Sequence, residues 1–133
     1  MIQVAIVGCG SIAHAHMEGL LTFPKRCQVV ALCDIYPEKA EAMKKEYGLN
    51  CRIYADHETM LEKENKLDLV HVCTPPYVHA EISIHALDAG CNVVVEKPMA
   101  TCLSECDQML EAEKRSKKNT CLHRAESFPQ FDL

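Results

Sequence analysis

The sequence predicts an α/β domain, a doubly wound parallel sheet covered by helices on both faces to give three layers. Three observations predict it. Short apolar runs and longer amphipathic stretches alternate five times along the chain. The connections are short, and several of the runs are nearly all apolar, as strands buried on both faces require. A glycine-rich turn follows the first run directly.

Taken in order, Ile2 to Val7 is β-rich and stops at Gly8, which marks a buried strand. A helix follows from about Ser11 to Thr22 and ends before Pro24. The second strand, Val29 to Cys33, stops at Asp34. Pro37 suits a first helical turn, with Glu38 behind it and Gly48 at the far end. Arg52 to Tyr54 makes a weaker third strand, and Asp56 caps a short helix through Met60 and Leu61. Leu67 to Cys73 is the fourth strand, broken by Thr74-Pro75-Pro76. His79 to Ala89 is helical, with Ile82, Ala86 and Leu87 on one face and Gly90 as the stop. Asn92 to Val95 is the fifth strand, and a long polar helix runs from about Leu103 to Lys117. Beyond Lys118 only Asn119 to Leu122 offers a sixth strand, expected to be short or missing. The domain is thus expected over residues 1–118, with 119–133 an irregular or truncated tail.

A length of 133 residues suits one domain with a real core. The net charge of −5 offers no basic stripe and argues against a nucleic-acid partner. An anionic ligand must therefore be held by local backbone dipoles. The apolar N-terminal stretch has no basic flank and is too short for a signal core or a membrane span, so a cytoplasmic location without a membrane partner is expected. Nine cysteines without a CxxC pair read as small buried hydrophobes in a reducing compartment, with a metal or redox role as the alternative.

Gly8-Cys9-Gly10-Ser11-Ile12-Ala13 spells G-x-G-x-x-A between a strand and a helix. The glycines allow a tight turn and a close approach of backbone to a pyrophosphate, and small Ala13 lets the helix lie near the strand. The helix start then offers free N–H groups and a positive dipole end to the phosphates. Asp34, at the end of the second strand, can accept hydrogen bonds from the adenosine ribose. These are the marks of a dinucleotide-binding Rossmann domain. The Asp34 charge repels a 2′-phosphate, and neither Ile35 nor Tyr36 supplies a cation, so NAD is favoured over NADP.

A second set of residues lies after the fourth and fifth strands: Thr74, Pro75, Pro76 and His79, then Glu96-Lys97-Pro98. By spacing alone these read equally well as loop breakers and a solvated charge pair. Together with Gly8, Gly10 and Asp34, however, the chain resembles the Gfo/Idh/MocA oxidoreductases over about residues 1–118. The resemblance implies that Gly8, Gly10, Ser11 and Ile12 lie against the pyrophosphate and Asp34 against the ribose. It implies that Thr74 and Pro75 flank the dinucleotide with His79 close by, and that Glu96 and Lys97 lie at the nicotinamide end. Lys97 is the catalytic residue so implied, facing the substrate to orient its hydroxyl and help move its proton. A cis Lys97–Pro98 bond is implied as well.

The expected function is the cofactor domain of an NAD(P)-dependent dehydrogenase of sugars or polyols. The resemblance also implies a second domain that builds the sugar pocket and commonly the subunit interface of homo-oligomers. This chain stops before it, so a sugar partner and turnover are expected only with that domain. A non-catalytic NAD(H)-sensing module or an inactive fragment is the alternative. No metal is expected. His14 and His16 sit two apart on one helix and face different ways, His71 reads as a core histidine, and His57, His85 and His123 read as incidental.

Overall fold

A computed structural model of the chain describes residues 1–123. Six strands, β1 (Ile2–Val7), β2 (Cys27–Cys33), β3 (Arg52–Tyr54), β4 (Leu69–Val72), β5 (Asn92–Glu96) and β6 (Thr120–His123), form one sheet. Five helices lie between them: α1 (Ser11–Leu21), α2 (Pro37–Tyr47), α3 (His57–Lys63), α4 (His79–Asp88) and α5 (Leu103–Ser116). The strand order is β3-β2-β1-β4-β5-β6 and every pairing is parallel. The order reverses at β1, so a crevice opens beyond the carboxyl ends of β1 and β4, where such sheets bind ligands.

Side-chain alternation divides the interior into two cores. On one face Ala5, Val7, Val70, Val72, Val93 and Val95 pack against Met60, Ala86, Leu87 and Met109 of α3, α4 and α5. On the other, Ile6, Val29 and Leu32 meet Ala13 and Met17 of α1 and Ala40 and Met43 of α2. Ala13 has no exposed surface, which lets α1 lie close to the sheet. Met17, Met60 and Met109 are fully buried, each contributing about 1.5–3 kcal/mol of transfer free energy.

The local signals act as the residue types dictate. Asp56 accepts hydrogen bonds from the N–H groups of Glu58 at 3.2 Å and Thr59 at 3.1 Å, capping α3. Pro37 opens α2, and Gly48 ends it in the left-handed region. Five cysteines, Cys9, Cys33, Cys51, Cys73 and Cys91, are buried; Cys102 and Cys121 are exposed, and all nine are free thiols. Burial first, then nearby Asp34, pushes the Cys9 thiol up to about 12. Among the described residues no helix is long and apolar enough to cross a membrane.

One difference from the sequence reading lies before α4. Pro76, expected with Thr74 and Pro75 only to break the chain, opens a 3-10 turn, Pro76–Val78, that leads into α4. The sixth strand is present and short. It pairs with β5 from Val93↔Thr120 to Glu96↔His123, so the sheet extends five residues past the boundary expected at Lys118. The rest of the expected tail, 124–133, lies outside the described residues.

Candidate cofactor-binding site

The turn after β1 is built by two glycines with opposite tasks. Gly8 has φ +93°, and its N–H donates to the Cys33 carbonyl at 2.7 Å. A Cβ there would lie 2.7 Å from the carbonyl carbon and oxygen of Cys73 and 2.9 Å from the Thr74 nitrogen. Gly8 is therefore required by the fold, where β1 and β4 part. Around Gly10 a Cβ would meet nothing within 4 Å, so this glycine faces open space. It is the N-cap of α1, without a side-chain hydrogen bond and without an acid in the first turn. The positive end of α1 is thus left to an outside anion. Ser11 is exposed and Ile12 half-buried at that helix start.

Asp34 reaches back to this turn from the end of β2. Its Oδ2 accepts the Cys9 N–H at 2.8 Å and its Oδ1 the Tyr36 N–H at 2.9 Å. Each carboxylate oxygen keeps a second acceptor site, and Asp34 is half-buried with the remainder open. Beside the turn lies a groove of about 670 Å³ lined by Cys9, Gly10, Ser11, His14, Lys39 and Met43 among others.

The other lip of the crevice is made by the loops after β4 and β5. Thr74 stands next to Gly8, with its Oγ1 buried and lacking a hydrogen-bond partner among the described residues. Pro75 is exposed. His79 has no exposed surface, and its ring spans the two loops: Nε2 lies 2.7 Å from the Thr74 carbonyl oxygen and Nδ1 2.7 Å from that of Pro98. A neutral ring donates to only one of these; the imidazolium serves both. His79 therefore acts as a tie behind the crevice wall. Lys97 is exposed, its N–H donates to the His123 carbonyl at 2.9 Å, and the Lys97–Pro98 peptide is cis.

Gly8, Gly10, Ser11, Asp34, Thr74 and Lys97 thus all come from the carboxyl ends of β1, β2, β4 and β5. An open, uncapped turn, an orphan hydroxyl and a carboxylate with spare acceptors suit a dinucleotide.

Glu96 is the buried neighbour of the exposed Lys97. Its side chain is only 8% exposed and turns inward, where His16 Nε2 bonds Oε1 and His123 Nδ1 lies 2.7 Å from the same oxygen. The second nitrogen of His16, Nδ1, lies 2.7 Å from His71 Nδ1. One proton per ring satisfies the whole chain: His71 donates to His16, and His16 and His123 donate to Glu96. Sequence reasoning missed this convergence because the four residues lie on α1, β4, β5 and β6. The only hint was a histidine and a glutamate inside otherwise apolar strands.

This cluster makes stability sensitive to acid. Burial, then the neighbouring His16 and His123 rings, pushes His71 from 6.5 down to about 4. Burial pushes the Glu96 carboxyl up, but hydrogen bonds from His16 and His123 outweigh it and hold the group below the usual carboxylate range. Between pH 6.5 and about 4 the unfolded chain takes up a proton at His71 that the folded one refuses, so stability falls with pH. Glu96 acts in the same direction as the pH falls through its lowered folded value. The His71 contribution is expected to be about 3 kcal/mol between pH 7 and 4. Urea melts across that range should show it, and a His71→Leu chain should give a flatter profile.

A family model described as an oxidoreductase family, NAD-binding Rossmann fold, matches residues 2–123. Inositol 2-dehydrogenase of Salmonella typhimurium is 29% identical over 117 residues, 88% of this chain and 34% of the relative. D-glucoside 3-dehydrogenase of Escherichia coli is 32% identical over 114 residues, 86% of this chain and 32% of the relative. The WlbA dehydrogenase of Bordetella pertussis, solved with NADH and UDP-GlcNAcA, superposes with a TM-score of 0.85 at 29% identity, covering 92% of this chain and 34% of that one. The chain spans about a third of the length of these relatives. The chain belongs to the Gfo/Idh/MocA oxidoreductase family, of which residues 2–123 are the NAD-binding Rossmann domain.

Proposed function

We propose that this chain supplies the cofactor-holding half of a dehydrogenase that moves hydride between nicotinamide and a hydroxyl of a sugar or polyol. The observation that carries the reading is the turn itself: Gly10 faces open space at an uncapped helix start, and Asp34 is fixed to the same turn through the Cys9 N–H. When bound, NAD(H) supplies the hydride chemistry. In this reading the N–H groups of Ser11 and Ile12 hold the pyrophosphate, and the spare acceptors of Asp34 hold the ribose hydroxyls. The Asp34 charge selects against a 2′-phosphate, which favours NAD over NADP. Thr74 and Pro75 flank the dinucleotide, and His79 holds their loop in place from behind. Lys97, exposed at the end of β5, orients the substrate hydroxyl and takes its proton. Glu96 acts on this end through the backbone, as the buried anchor beneath Lys97. The substrate class is inferred from the relatives, which include dehydrogenases of inositol and of D-glucosides.

The test is a fluorescence titration of the purified chain with NADH, followed for wild type and Gly10→Ala. Saturable binding is expected, weakened about tenfold or more by Gly10→Ala, because the added methyl occupies the approach of the phosphates. The thermal melt should fall only slightly, since a Cβ at this position meets no protein atom and the cost is that of alanine for glycine at an N-cap. Absence of saturation, or equal affinity in both chains, rejects the reading.

A further inference from the structure

Away from the crevice, α3 and α4 bring together four side chains of another chemistry. His57 and Glu58 open α3, and Glu81 and His85 lie one turn apart on α4. His57 Nε2 and His85 Nδ1 are 2.8 Å apart, with the rings stacked at 18°. Glu58 Oε1 is 3.8 Å from His85 Nδ1. One nitrogen or oxygen from each of the four residues lies within 4.8 Å of all the others.

We propose that His57, Glu58, Glu81 and His85 form a binding site for a divalent transition-metal ion of the zinc type. Bonds of about 2.0–2.2 Å to imidazole nitrogen and carboxylate oxygen place tetrahedral ligands roughly 3.3–3.5 Å apart. The His57–His85 and Glu58–His85 separations of 2.8 and 3.8 Å bracket that spacing, and side-chain rotations would complete the shell. Two imidazoles with two carboxylates are a borderline donor set, suited to zinc, nickel or copper rather than to magnesium or calcium. Both carboxylates are exposed, and among the described residues neither is paired with a lysine or arginine. Their negative charge is therefore available to a cation, and the open setting gives it an entry path. The cluster around Glu96 differs: it supplies three ligands rather than four, and two of them are interior. An ion at the α3–α4 site would pin the start of α3 to the middle of α4 and stabilise the fold by mass action.

The experiment is calorimetric titration of the metal-stripped chain with zinc chloride, with cobalt(II) absorption to identify the ligands. The expected result is one equivalent bound and tetrahedral cobalt bands without thiolate charge transfer. His85→Ala and Glu81→Gln are each expected to weaken binding about tenfold or more, while Cys102→Ser leaves it unchanged. Glu81→Gln replaces one exposed side chain by another of the same shape, so it tests the site even if His85→Ala fails to fold. The thermal midpoint should rise with zinc in wild type and stay fixed in Glu81→Gln. No saturable binding, thiolate-to-cobalt bands, or an affinity indifferent to both substitutions would overturn the proposal.

Discussion

Gly8→Ala is expected to destabilise the folded chain by about 3 kcal/mol or more. Two causes add. The residue sits at φ +93°, where an L side chain is strained, at a cost of order 1–3 kcal/mol. Its Cβ would also meet the backbone of Cys73 and Thr74 at 2.7–2.9 Å, and a peptide unit cannot rotate aside as a flexible side chain can. β1 and β4 would have to separate at their carboxyl ends, where the Cys73 N–H now bonds the Val7 carbonyl at 2.8 Å. Chemical denaturation of the two chains measures the effect. A stable Gly8→Ala chain with unchanged NADH affinity would mean that the close approach of these strands is not what positions the turn. Gly10 differs in its surroundings: a Cβ there would meet nothing within 4 Å, whereas one at Gly8 would meet backbone.

Asp34→Ala is expected to weaken NADH binding by about ten- to a hundredfold, the loss of charge-assisted hydrogen bonds worth roughly 1.5–3 kcal/mol. On the proposed reading the carboxylate has two duties, so the loss has two parts. Ribose hydroxyls lose their acceptor, and the Cys9 N–H loses the partner that holds the turn in shape. Asp34→Asn keeps an acceptor oxygen for one of these, and should fall between alanine and wild type. Removing the charge also lifts the repulsion of a 2′-phosphate, so NADPH should lose less affinity than NADH, or gain. Parallel fluorescence titrations with both cofactors read the ratio directly. Equal losses for the two would show that Asp34 does not face the ribose.

Much of this was legible in the residues. Apolar runs of strand length, Pro37 and Gly48 around α2, Asp56 before α3 and Gly90 after α4 are local signals, and each one acts locally. The turn and Asp34 were legible because their spacing belongs to a single βαβ unit. What escaped the reading is long-range. His16, His71, Glu96 and His123 meet only because the crossover of α1 lays His16 over the neighbouring strands. His57 and His85 looked incidental because nothing in the chain between them says that α3 and α4 lie side by side. Glu96 and Lys97, adjacent in sequence, differ in burial, Glu96 lying inside and Lys97 exposed. β6 was underestimated because its hydrogen bonds, not its side chains, make it a strand.

The position of β6 has a consequence for how well Lys97 is held. The lysine amide is tethered to the last described residue of the outermost strand, through the His123 carbonyl. Margins of a sheet open first, and local opening there need not disturb the interior. How firmly the backbone of Lys97 is held is therefore governed by the hem of the fabric rather than by its weave. Deuterium uptake at Lys97 should follow the fraying of that hem, while the glycine bend stays closed with the central strands.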